Sequence, residues 1–96
     1  MDKQGIIASI KSEKSYLKEH FGVEEIALFG SYARDENTPE SDVDILVRMQ
    51  SKTLNNYFSL LDYLEKNLHL KVDLVTKHPD LSERFMRLIN KDIIYV

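Results

Sequence analysis

The chain has 96 residues, 30% of them charged, a formal net charge of -3 and no cysteine. That length allows one hydrophobic core, so residues 1–96 are expected to form a single domain, with any second wall of a substrate cleft supplied by a partner. Without cysteine there is no disulfide framework and no thiolate zinc site, and without a block of Lys or Arg there is no footprint of a sequence-independent nucleic-acid binder. No apolar run approaches a membrane span, and Met1-Asp2-Lys3-Gln4 lacks a secretory pattern. A soluble, cytoplasmic protein is expected.

In chain order, Ile6, Ile7, Ile10, Leu17 and Phe21 recur at helical spacing, and Lys11, Lys14, Lys18 and Glu19 fill the other face. Gly22 ends this helix, and His20 in its last turn complements the helix dipole. Ile26-Ala27-Leu28-Phe29 is a continuous apolar run, the signature of a strand buried on both faces. It stops at Gly30, where glycine permits a sharp turn and close approach of a ligand. Ser31 then opens a short helix through Tyr32, Ala33 and Arg34, a strand-to-helix corner suited to phosphate.

After ten intervening residues, Ser31 is followed by Asp42-Val43-Asp44, heading a second apolar strand. Residues i and i+2 of a strand share a face, which puts Asp42 and Asp44 on one side, roughly 6 to 7 Å apart, and Val43, Ile45 and Val47 in the core. Two carboxylates at that distance repel by roughly 2 to 3 kcal/mol at an effective dielectric near 20, and a divalent cation reverses the sign. Oxygen ligands without Cys or His favour a hard ion such as Mg²⁺, which shares its shell with substrate phosphates.

Ser51 or Thr53 is positioned to cap a long helix whose apolar face is read as Leu54, Tyr57, Phe58, Leu61, Leu64 and Leu68, widened by Leu60 and Tyr63. Leu70 to Thr76 alternates as a strand with Asp73 on the polar side, able to join Asp42 and Asp44 if the two strands are neighbours. Asp80 with Glu83 reads as a capping box for a helix carrying Leu81, Phe85, Leu88 and Ile89, and Ile93 to Val96 as a closing strand. His20, His69 and His78 lack ligand spacing. The alternation of elements predicts an α/β (α+β) fold, a small mixed β-sheet with helices mainly on one face and the acids on the open side.

The stretch GSYARDENTPESDVDILV, residues 30–47, resembles the signature of the polymerase-beta-type nucleotidyltransferases. More narrowly it is similar to the MNT-type minimal nucleotidyltransferases, the antitoxins of HEPN/MNT pairs. The resemblance implies a nucleotidyltransferase fold in which Asp42, Asp44 and Asp73 serve as catalytic and metal residues. It also implies Mg²⁺ as cofactor and ATP as substrate, with Gly30, Ser31 and Arg34 toward the nucleotide. It further implies an AMP acceptor, the tyrosine hydroxyl of a HEPN-domain RNase toxin. Asp35 departs from the family pattern, which often has glycine after the arginine. A salt bridge of Arg34 with Asp35 or Glu36 is the competing role for that side chain. Two other functions stay open from the residues: an antitoxin that acts by binding alone, and a nucleotidyltransferase for a small hydroxylated molecule.

Overall fold

The computed structural model describes residues Met1–Val96. Four helices, α1 (Lys3–Phe21), α2 (Gly30–Ala33), α3 (Leu54–Leu68) and α4 (Glu83–Ile89), alternate with four strands, β1 (Val23–Phe29), β2 (Val43–Met49), β3 (Val72–Thr76) and β4 (Ile94–Tyr95). The strand order is β3-β2-β1-β4. β1 runs antiparallel to both β2 and β4, while β2 and β3 are parallel, as a strand-helix-strand crossover through α3 requires. This is the expected mixed sheet.

Local signals set the helix ends. Asp2 Oδ1 accepts a hydrogen bond from the Gly5 amide at 2.9 Å, and Gly22 closes α1 at φ 67, in the left-handed region where a side chain is unfavourable. His20 Nδ1 lies 3.2 Å from the Tyr16 carbonyl, in keeping with its place at the helix end. Thr53 caps α3 by accepting from the Asn56 amide at 3.1 Å. At α4 the cap is Ser82, which accepts from Phe85, and the expected Asp80–Glu83 box does not form because Asp80 lies in the preceding turn.

α1 and α3 cover one face of the sheet. Ile6, Ile10 and Leu17 from α1 and Leu60, Leu64 and Leu68 from α3 enclose Leu28, Ile45, Val47 and Leu74. Each such buried aliphatic side chain contributes roughly 1.5 to 3 kcal/mol. The extra residue of a bulge between Val23 and Glu25 lets Val23 and Ile26 face the same core, three positions apart. On the other face α4 covers a smaller cluster of Ala27, Phe29, Leu46 and Ile89. β1 is therefore buried on both sides, as its unbroken apolar run implied.

The apolar face of α3 is rotated from the expected one. Leu60 lies at its centre, whereas Leu54 and Phe58 remain 77% and 59% exposed. At about 100° per residue, Phe58 falls more than a quarter-turn from the Leu60–Leu64–Leu68 line, outside the reach of the sheet. Leu88, expected on the packed face of α4, is also exposed. No helix is long and apolar enough to cross a membrane.

Candidate active site

The acids gather where β1 ends and β2 begins. β2 starts at Val43, so Asp42 flanks the strand and is exposed, while Asp44 lies within it and is half-buried. Val43, Ile45 and Val47 point into the α1–α3 core, which fixes Asp44 on the opposite face. β3 lies beside β2 in parallel register, pairing Asp44 with Asp73 and Val43 with Val72. The strand adjacency that Asp73 needs is thus present. Val72 and Leu74 are buried, and the alternation turns Asp73 to the Asp44 side.

Gly30 completes this corner. It follows Phe29, the residue paired with Asp44, and has φ 76. A Cβ there would lie 2.8 Å from Cγ of Asp44 and overlap its carboxylate oxygen, so both the backbone conformation and the close approach require glycine. Ser31 is the second residue of the single turn of α2 and is half-buried. Asp35, after that turn, adopts φ 58. This left-handed conformation explains why glycine suits the position. Aspartate is among the few side chains that tolerate it, and Lys3 Nζ pairs with its carboxylate at 2.9 Å.

The electrostatics are those of crowded acids. Burial pushes the Asp44 carboxyl up to about 6; the charge of Asp73 and the hydrogen bond between the two carboxyls add to this, as does Asp42, and Arg34 opposes it. Tyr57 is drawn in as well, a neighbour that sequence periodicity identified only as a helix-face residue. Its hydroxyl donates to the Leu74 carbonyl at 2.6 Å, and burial together with the Asp73 charge raises its pKa. Arg34 pairs with Glu36 at 3.3 Å and with Asp92 at 3.7 Å, and not with Asp35. Asp92 had no signal in the sequence, since it comes from the turn between α4 and β4, 58 positions beyond Arg34.

No three carboxylate or imidazole side chains converge tightly enough to enclose a metal ion by themselves. The donor set nevertheless fits a hard divalent cation that completes its shell with substrate and water oxygens. The acids sit on an open surface. The largest concavity, about 540 Å³, lies at the far end of β2, and two of its cations, Arg48 and Lys77, are held by Glu24 and Glu25.

A four-stranded mixed sheet with a Gly-Ser corner facing paired acids defines the nucleotidyltransferase class. The chain belongs to that family: residues 10–94 match the model of the nucleotidyltransferase domain. Its curated relatives are protein adenylyltransferases. A candidate protein adenylyltransferase of Methanocaldococcus jannaschii is 44% identical over 90 residues, covering 91% of this chain and 90% of its own length. The protein adenylyltransferase MntA of Thermococcus cleftensis is 41% identical over 88 residues, covering 91% and 88%. Among solved structures, a candidate minimal nucleotidyltransferase superposes with a TM-score of 0.80 at 30% identity, over 98% of this chain and 95% of that one. An MNT antitoxin in complex with a tri-AMPylated HEPN toxin of Shewanella oneidensis shares the fold, with a TM-score of 0.58 at 22% identity over 91% of this chain and 70% of that one.

Proposed function

We propose that this protein is an antitoxin that transfers AMP from ATP to a tyrosine hydroxyl of a cognate HEPN-domain RNase toxin, with Mg²⁺ as cofactor. The observation that carries the reading is the lateral pairing of Asp44 with Asp73 on adjacent strands, against a glycine that leaves room for nothing but that carboxylate. Asp42, Asp44 and Asp73 would hold Mg²⁺, which supplies charge neutralisation at the phosphates. Gly30 and Ser31 steady the triphosphate through the corner they form, and Arg34 adds a cation beside it. Asp73 takes the proton as the tyrosine oxygen attacks the α-phosphorus in line. The bond from that phosphorus to the bridging oxygen breaks, pyrophosphate leaves with the bond's electrons, and AMP stays on the tyrosine.

The exposure of Asp42 and Asp73 supports a protein acceptor, because a partner docked there would exclude water from the acids. MntA of Thermococcus cleftensis and the AMPylated HEPN complex are the relatives that suggest this acceptor. Incubation of the protein with ATP, Mg²⁺ and the product of the neighbouring gene, followed by intact mass spectrometry, tests it. Gain of AMP mass on the partner, lost on Tyr→Phe substitution of the modified residue, is expected. An unmodified partner whose activity is nonetheless blocked would replace transfer with sequestration.

A further inference from the structure

Arg34 stands between two roles. Its Nε lies 3.3 Å from Glu36 Oε1 and its Nη1 lies 3.7 Å from Asp92 Oδ2, leaving Nη2 without a carboxylate. Its charge also reaches Asp44. The backbone that carries Asp92 is held independently of Arg34, because the turn is closed by the Asp92 amide donating to the Ile89 carbonyl at 3.1 Å.

We propose that Asp92 is a latch on Arg34: it holds the guanidinium in the free enzyme, and an entering nucleotide triphosphate takes Arg34 from it. The proposal rests on the nucleotide reading of the site and adds to it a residue that sets affinity. The side chains of Arg34 and Asp92 are 41% and 33% exposed, and ion pairs of that exposure are weak. Phosphate oxygens carry more charge and match the guanidinium fork in two parallel hydrogen bonds, so the exchange favours the triphosphate. Asp92 weakens that exchange by occupying Arg34. Asp92 is a positioning residue here and touches no reacting atom.

Titration calorimetry with ATP and Mg²⁺ on the full chain, alongside steady-state transfer, tests the latch. Asp92→Asn should bind ATP ~2- to 5-fold more tightly, the range an exposed ion pair spans, with KM falling by the same factor and kcat unchanged. Asp92→Glu should restore wild-type affinity. In an Arg34→Ala background, Asp92→Asn should produce no tightening, which separates release of Arg34 from a general charge effect. Unchanged or weaker binding by Asp92→Asn overturns the latch, and so does equal tightening without Arg34. Failure of the wild type to bind ATP is a different result, and it overturns the nucleotide reading together with the latch.

Discussion

Asp44 and Asp73 are partners across the β2–β3 ladder, one carboxylate beside another at the roughly 4.8 Å spacing of neighbouring strands. Backbone pairing holds them there whether or not anything neutralises them. The site is therefore assembled at a cost in stability, and that cost is measurable.

The first prediction concerns pH. In the unfolded chain the Asp44 carboxyl titrates near 3.8 and in the folded protein at about 6, so between these values the folded state carries the extra proton. Stability then falls as pH rises from about 4 to about 6 and stays lower above it. Two units correspond to at most ~3 kcal/mol, and solvent screening of a half-buried group leaves on the order of 1 to 2. With EDTA present, Asp44→Asn should melt several degrees above wild type at pH 7.5 and converge with it near pH 4. Parallel melting curves across that range would show that the acid pair carries no such cost.

The second prediction reverses the sign with ligand. Mg²⁺ and ATP should raise the wild-type melting temperature, since a ligand at 100 times its dissociation constant stabilises the folded state by about 2.7 kcal/mol. Asp42→Asn and Asp44→Asn should each lose most of that gain. An equal rise in all three proteins removes both residues from the site.

Much of this corner was legible in the sequence because its constraints are local. Gly30 and the alternation of Val43, Asp44 and Ile45 specify a turn and a strand face without reference to distant residues. The placement of Asp73 needed one further fact, that β3 lies beside β2, and strand order is a property of the whole sheet. Arg34 shows where local reading ends: Glu36 is two residues away and was within view, whereas Asp92 arrives through the packing of α4 and β4. The face of α3 was misjudged for a related reason. Leu54 and Phe58 satisfy helical spacing as well as Leu60 does, and only the position of the sheet decides which stripe is covered.

Asp35 yields a third prediction, on backbone conformation. At φ 58 an alanine lacks the local polar contacts that make aspartate tolerable, while glycine has no Cβ to strain. Asp35→Gly should be at least as stable as wild type even though it loses the exposed pair with Lys3, and Asp35→Ala should be lower than Asp35→Gly by about 1 kcal/mol. Chemical denaturation of the three proteins measures this, and equal stability of the Gly and Ala variants would contradict it.

Gly30 gives a sharper case, because conformation and space act together. Gly30→Ala combines a left-handed backbone with overlap of the Asp44 carboxylate, so Asp44 must move or the turn must open. Nucleotide-dependent stabilisation should disappear even where the variant remains folded by circular dichroism. A folded Gly30→Ala protein that keeps the full ATP shift would mean that the nucleotide does not use this corner.

The last prediction separates transfer from blocking, the two ways the proposed antitoxin could act on its partner. A transferase acts repeatedly, so a small molar amount with ATP and Mg²⁺ should silence an excess of partner, whereas a blocker must match it mole for mole. The geometry favours turnover: a scaffold gains nothing from Asp44 and Asp73 held side by side at a cost to its own stability. Asp73→Asn should keep much of the ATP-dependent stabilisation yet transfer AMP ~100-fold more slowly, the scale of a lost general base. At low ratio to toxin it should fail to protect, while at equal ratio its protection reports binding alone. If wild type and Asp73→Asn protect equally well and only at equal ratio, and the toxin gains no AMP mass, the acids are ornaments of an inherited fold and the protein works by sequestration.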